Sequence, residues 1–409
     1  MQVQEVENNL GLQVCKKQSL VIERGEGVQV WDDVGRQYLD LTAGWGVTCL
    51  GHSHPVIVEA ITQQATRIIQ NPNSGFTYSP VRAQLLLELQ QVLPAGLSRV
   101  FFANSGAEAN DAALKIARKM TGRSKVVSLL GAFHGRTLAT LTASGGPQNG
   151  AKFLPKVPGH EFCKQNDGAE LAELIDDQTA AVIVELVQGE GGVRAVDAAY
   201  LRHLRALCDK HGCLLIIDEV QTGFCRTGRF FALDYYDVRA DIMTMGKGIA
   251  GGLPFAAFAL TEQVAASMAL GDHGGTYCGN PLSCAVSLAV TRYLRENAIA
   301  ERVAEFGNLV LEDLLQLQQK YPQVLTAVRG RGLMLALELA ADEWVWPFTE
   351  ICQQMGLLVT PTKNAVVRLL PSLLLTSDEW EQALSILDRA LAQLSCHLGS
   401  QVVRTQVLG

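Results

Sequence analysis

The sequence predicts an α/β fold: a large domain on a mostly parallel sheet with helices on both faces, then a smaller α+β domain. Three observations carry that prediction. Between about residues 56 and 290, short and almost wholly apolar runs alternate with amphipathic helical patterns, as expected of strands covered on both faces. After about 290 the alternation gives way to a long helix, strand-forming segments and a last helix. The 409 residues, 48% hydrophobic and 18% charged, have ordinary globular composition and length for one large and one small domain.

Residues 20–50 come first. "SLVIERGEGVQVWDDVGRQYLDL" alternates and is broken at Gly25, Gly27 and Gly35, which predicts short strands joined by turns. The strands of the large domain are "RVFFA", "KVVSLL", "AAVIVELV", "CLLIIDEV", "DIMTM" and "FAAFAL", with "GAEANDAALKIARKM" and "AYLRHLRALCDKHG" among the helices between them. Further on, "ENAIAERVAEFGNLVLEDLLQLQQKY" reads as one long helix, and "VRGRGLMLALEL" and "GLLVTPTKNAVVRLLPS" as a strand pair. The final helix opens at "TSDEW", where Thr376 and Glu379 are spaced as a capping box.

Several function classes are disfavoured. The formal net charge of −7, from 34 basic and 41 acidic side chains, argues against nucleic acid, whose phosphates need a basic surface. It leaves room for a small anion held by a few arginines. The ten cysteines form no CxxC pair, so neither a disulfide scaffold nor a zinc site is expected, and free thiols in a reducing cytosol are. The start, "MQVQEVENNLGLQ", lacks an apolar targeting core, and no apolar run has transmembrane length. A cytoplasmic chain with no membrane partner is expected. His52 and His54 in "GHSHP" have no third ligand nearby and read as a turn before a helix, so no metal is expected.

Three stretches concentrate chemistry. In "RVFFANSGAEAND" a strand runs into a helix at Ser105, a good N-cap, and Gly106 lets backbone approach a ligand. Free N–H groups and the helix dipole favour a phosphate there, and a capped helix with nothing bound is the alternative. In "CLLIIDEVQTGFCRTG", Asp218 stands at the carboxyl end of a strand, where ligands gather in open α/β sheets. A buried carboxylate needs a partner, so a structural salt bridge is the alternative; GxxxxGK[ST] is absent, which removes a Walker-type reading. In "MTMGKGIAGGLP", Lys247 sits among glycines and small apolar residues. Poor solvation lowers a lysine's pKa, the usual setting of a Schiff-base lysine; a loop turning Lys247 outward is the alternative. "GKGIAG" matches GxGxxG, but the next segment reads as a strand, unlike a dinucleotide fingerprint. "FHGRT" at 133–137 is either a plain loop or an aromatic platform with a carboxylate clamp. Together these pieces describe a pyridoxal 5'-phosphate site: a helix N-terminus for the phosphate, an aspartate for the ring nitrogen and a lysine for the aldehyde.

The motifs "LGHSHP", "FFANSGAEAND", "AFHGRT", "ELVQGEGGV", "LLIIDEVQTGFCRTGRFFA", "GKGIAGGLPFAA" and "GGTYCGNPLSCAVS" occur in this order. With them the chain resembles the class III (subgroup II) pyridoxal-phosphate-dependent aminotransferases, acetylornithine and ornithine branch, over roughly residues 20–395. The resemblance implies a fold-type I transferase acting as a homodimer with shared active sites. It implies an N-terminal segment, 1–55, packing with the small domain, a large cofactor-binding domain, 56–290, and a small domain, 291–409. Ser105, Gly106 and Ala107 would contact the phosphate. Phe133 would stack on the ring, Asp218 pair with its nitrogen, Gln221 lie near its phenolic oxygen, and Glu219 and Val220 complete the loop. Lys247 would carry the Schiff base, and Thr276 would reach the phosphate in the neighbouring subunit.

Arg136 resembles the family's substrate-carboxylate clamp. Glu190 and Arg368 resemble a switch, in which Glu190 neutralises Arg368 until glutamate brings a second carboxylate; a fixed salt bridge is the alternative. The implied reaction moves the distal amine of N-acetylornithine to 2-oxoglutarate, giving a semialdehyde and glutamate, with a place in arginine biosynthesis. Ornithine, succinylornithine and 4-aminobutyrate are rival donors, and an aminomutase or racemase is a rival class on the same fold. The departures concern the donor side. "VCKKQSL" stands where relatives often have a Tyr, Gly275 where they often have Ser, and Trp45 where some have a smaller residue. "ELVQGE" also lacks a Pro after its first Glu.

Overall fold

The computed structural model describes residues 2–146 and 151–407, the last eleven by backbone alone. Strands β1 (Ile22–Glu26), β2 (Gln29–Asp32) and β3 (Gln37–Asp40) form an antiparallel meander. Its turns use Gly27 and Gly35 at φ +55° and +81°, angles glycine adopts without steric cost. Gly25 is not a break. It lies inside β1 opposite Val30, and a Cβ there would come 2.7 Å from the His52 ring. The glycine makes room for an imidazole that bonds Asp40 at 2.8 Å. His54 caps the helix Pro55–Ala65 through the Val56 N–H, as the turn reading expects.

The central sheet takes β4 (Leu97–Ala103), β5 (Lys125–Leu129), β6 (His160–Cys163) and β7 (Thr179–Glu185). After a small hairpin, β8 (Val187–Gln188) and β9 (Arg194–Ala195), it adds β10 (Leu214–Glu219), β11 (Ile242–Met245) and β12 (Ala256–Thr261). The order is β4-β12-β11-β10-β7-β5-β6. From β6 to β11 all pairs are parallel; β12 runs antiparallel to both neighbours. Alternate residues of β7 serve opposite layers. Ala181 and Ile183 pack with Ala109, Ala113 and Ile116 of the helix Gly106–Thr121. Val182 and Val184 join the cluster that holds Leu201, Leu204 and Cys208 of the helix Ala198–His211. Both faces are covered, so these strands are apolar throughout rather than alternating. "HEFC" is too short and polar to be read as β6 from sequence.

The C-terminal part departs from expectation in detail. The long helix is Ile299–Lys320, preceded by a separate helix, Pro281–Glu296. Ala298, at φ +48°, breaks them apart, and the 290/291 boundary falls inside the first. The expected strand pair is five strands: β13 (Leu325–Arg331), β14 (Met334–Leu339), β15 (Leu357–Leu358), β16 (Thr360–Pro361) and β17 (Val366–Leu369). Left-handed residues, Gly332 at φ +58° and Asn364 and Ala365 at +59°, fold each segment back on itself. They form one sheet, β13-β14-β17-β16, while β15 pairs in parallel with β3. The final helix, Ser377–Val407, opens with the capping box: Glu379 N–H donates to Thr376 Oγ1 at 3.4 Å, and Thr376 N–H to Glu379 Oε2 at 2.8 Å.

Candidate active site

Asp218 ends β10 and is 3% exposed. Its Oδ2 accepts from Asn110 Nδ2 at 2.7 Å and meets His134 Nδ1 at 2.8 Å; its Oδ1 accepts the Val220 N–H at 2.9 Å. Thr244 Oγ1 donates to Asn110 Oδ1 at 2.6 Å, which turns the amide's N–H groups to the carboxylate. Three donors thus satisfy a charge taken out of water. The contact with Asp218 assigns the imidazole proton to Nδ1, and His134 Nε2 is buried without a partner among the described residues. Glu185 ends β7 directly beside Asp218 in the parallel register.

Lys247 follows β11, half-buried and in the left-handed region at φ +46°. It is not on an outward loop. Burial pushes its pKa down, Asp218 pulls it up and Arg368 pushes it down again, so its neutral form is more accessible than a surface lysine's. Val220 lies between two glycines. A Cβ at Gly106 would come 2.6 Å from Val220 Cγ1, and one at Gly246 3.1 Å. The helix start at Gly106 and Ala107 therefore packs directly on the loop that carries Asp218, Glu219, Val220 and Gln221. Ser105 Oγ accepts the Glu108 N–H at 3.2 Å, so its acceptor role is the cap, and its own O–H stays free to donate. The first N–H groups of such a helix have no partner within it.

Around this centre stand the remaining residues. Phe133 is half-buried, and the exposed Arg136 guanidinium lies 5.5 Å from its ring centroid. Arg136 has no carboxylate partner among the described residues. Arg368, on β17, is 1% exposed and pairs through Nη1 with Glu190 Oε1 at 2.8 Å; Nη1 also donates to Gln221 Oε1 at 3.3 Å.

Gly275 and Thr276 are bound elsewhere in the chain. They lie on an exposed loop whose carbonyls accept from Ser74, and that of Thr276 also from Gln70. The donor-side departures are explained in part. A Cβ at Gly275 would meet Cys278 Sγ at 2.3 Å. Lys16 and Lys17 pair with Glu350 and Glu7. Trp45 is 65% exposed in a run of left-handed residues, Ala43–Gly46.

Sequence reasoning missed His134, Asn110, Thr244 and Glu185. Two of them had signals. Asn110 is the polar residue on an otherwise alanine-rich buried face, and Glu185 ends an apolar run as Asp218 does.

The residues fit pyridoxal phosphate: an aspartate bonded by three donors at a strand end, a lysine whose pKa burial lowers, and a helix start packed on the aspartate's own loop whose first N–H groups have no partner within the helix. Glu219 is buried on the far side of the loop, where burial pushes its carboxyl up to about 7 and the Leu233 N–H donates to it at 2.7 Å. Among the described residues no helix is long and apolar enough to cross a membrane.

The family model for class-III aminotransferases matches residues 13–391. An acetylornithine aminotransferase of Methanopyrus kandleri is 43% identical over 368 residues, 90% of this chain and 93% of its own. A [LysW]-aminoadipate semialdehyde transaminase of Deinococcus radiodurans is 41% identical over 92% of this chain and 87% of its own. Among solved structures, the ornithine aminotransferase of Toxoplasma gondii ME49 superposes with a TM-score of 0.91 at 31% identity, over 96% of this chain and 95% of that one. The acetylornithine aminotransferase of Elizabethkingia anophelis does so with 0.85 at 33%, over 95% and 98%. Fold, site and likeness agree, and the chain belongs to the class-III aminotransferases, enzymes that depend on pyridoxal 5'-phosphate.

Proposed function

We propose that this enzyme moves the distal amine of N-acetylornithine, or of a related ω-amino donor, to 2-oxoglutarate, giving a semialdehyde and glutamate. One observation carries the reading: Arg368 is buried and masked by Glu190 at 2.8 Å, while Arg136 has no carboxylate partner among the described residues. One free and one masked arginine suit an enzyme that reads one carboxylate in one half-reaction and two in the other. Relatives named as acetylornithine aminotransferases support the donor.

When bound, the cofactor supplies an electron sink for the C–H bond next to the transferred amine. Asp218 holds a proton at the ring nitrogen. Lys247 would hold the cofactor's aldehyde and, when uncharged, would take and return the proton at the substrate carbon. Phe133 would lie against the ring, and Ser105, Gly106 and Ala107 would hold the phosphate. Glu219 and Val220 shape the loop that sets Gln221 by the phenolic oxygen. Arg136 binds the donor's α-carboxylate. Glutamate brings a second carboxylate for Arg368, and Glu190, half-exposed, swings aside for it.

The active form we propose is a cytoplasmic homodimer. Thr276 lies beside Ser74 on a face that also exposes Phe76, Tyr78 and Tyr277, apolar area of the kind that marks an interface. Thr276 would there reach the phosphate in the second subunit. The proposed division is a segment 1–55 that packs with a small domain, 291–409, around a large domain, 56–290; the β3–β15 pairing supports the first part.

A donor screen with 2-oxoglutarate tests the reading. N-acetylornithine should give the highest kcat/KM among it, ornithine, succinylornithine and 4-aminobutyrate. Isomerisation of an amino acid with no transfer to 2-oxoglutarate would overturn it. Arg136→Ala should slow both half-reactions about tenfold to a hundredfold, the worth of a charged hydrogen bond. Glu190→Gln should favour the glutamate half-reaction; equal effects on both halves would remove the switch.

A further inference from the structure

Glu185 is 6% exposed, has no cationic side chain bonded to it among the described residues and belongs to no step above. Its two oxygens reach two different loops. Oε2 accepts the N–H of Phe133 at 2.8 Å, and Oε1 accepts the N–H of Gly189 at 3.3 Å. Phe133 is the ring-stacking residue, and Gly189 immediately precedes Glu190. Gly189 is also wedged against the switch: a Cβ on it would come 2.1 Å from Gln221 Oε1 and 3.2 Å from Arg368 Nη1. A shift of its backbone toward that side would therefore disturb Gln221 and Arg368.

We propose that Glu185 ties Phe133 to the Glu190–Arg368 pair, holding both loops while ionised and releasing the Gly189 loop when it takes up a proton. The choice between the donor and glutamate then varies with pH. This rests on the switch reading of Glu190 and Arg368. The chemistry is simple. An ionised carboxylate accepts at both oxygens, whereas a protonated one turns one oxygen into a donor. The longer bond, at Oε1, is the weaker one, so the proton settles there, facing the Gly189 N–H.

The surroundings put the change in a useful range. Asp218 faces Glu185 from β10, His134 from the loop after β5, and Lys247 from the turn after β11; Glu190 and Arg368 stand beyond Gly189. Burial raises the carboxyl's pKa, His134 lowers it, Asp218 raises it, and the two N–H groups lower it, leaving it at about 7. Below that pH the loop loosens, Glu190 leaves Arg368 more readily, and glutamate reacts relatively better.

Hydrogen–deuterium exchange of the holoenzyme, corrected for intrinsic rates, tests this on segments 131–135 and 186–191. Protection of the second segment should rise about tenfold between about pH 6 and about pH 8, the effect of gaining one charged hydrogen bond. In Glu185→Gln, which has one accepting atom like the protonated acid, protection should not change with pH. The ratio of glutamate to donor half-reaction kcat/KM should fall with pH in the parent and stay flat in the variant. Protection independent of pH in the parent, or an unchanged response in Glu185→Gln, would overturn the proposal. If the variant does not fold, the parent's own pH response decides. Equal effects of Glu190→Gln on both half-reactions would instead sink the switch reading, whatever the exchange shows.

Discussion

Gly275 is held to glycine by its neighbour rather than by its backbone. Cys278 Sγ occupies the space a side chain would need and sits 3.8 Å from Asn104 Nδ2, at the approach to the helix Gly106–Thr121. Gly275→Ser should force that thiol from its rotamer and cost about 1 kcal/mol. Adding Cys278→Ala should recover most of it, and denaturant unfolding of the two single variants and the double measures the coupling. Strict additivity would show that the two positions do not compete. At this scale the charged residues were the legible ones. Lys247 and Asp218 stand out because burying charge needs a reason. The partners did not stand out, because Asn110 and His134 meet Asp218, and Thr244 meets Asn110, only through a strand order that no local pattern records. Glu185 needed the parallel register of β7 and β10.

The elements themselves follow from local chemistry where one face is buried and a cap is present. The final helix is an example. Thr376 and Glu379 exchange backbone and side-chain bonds at its start, and Thr376→Ala should lower stability by about 1 kcal/mol. Thermal and urea unfolding check this; a change within error would mean that packing of Trp380 and Leu387 alone sets the helix start. Elements were missed where left-handed residues decide. Ala298 splits two helices, and Asn364 with Ala365 folds one apparent strand into two. Asn364 is of a type that adopts φ > 0 readily, but neither Ala prefers it. Tertiary packing imposes it.

For the whole molecule, buried acids set a pH dependence of stability opposite to that of surface aspartates. Glu219 is fully buried, and its carboxyl is pushed up to about 7 from 4.5. The folded state then holds a proton that the unfolded state has lost. The stabilisation is complete below about 4.5 and disappears as pH rises to about 7, at up to about 1.4 kcal/mol per pH unit. Glu219→Gln should therefore gain on the parent as pH rises, seen as a growing difference in urea unfolding free energy; a constant difference would show Glu219 ionised throughout. Arg226 acts across the molecule as well. It is buried, follows the loop from Asp218 to Gln221 and donates to the carbonyls of Leu333 and Pro371, at 3.0 and 2.5 Å, so the loop with Gln221 and the strand with Arg368 share one strut. The β3–β15 pairing has a consequence for the newborn chain. Leu39 and Asp40 leave the ribosome early, whereas Leu357 and Leu358, their hydrogen-bonding neighbours, emerge only some tens of seconds later at roughly 5–20 residues per second. Throughout that interval an open strand edge faces solvent, a template for pairing with the wrong chain, so a stalled or truncated translation product should aggregate where the finished protein does not.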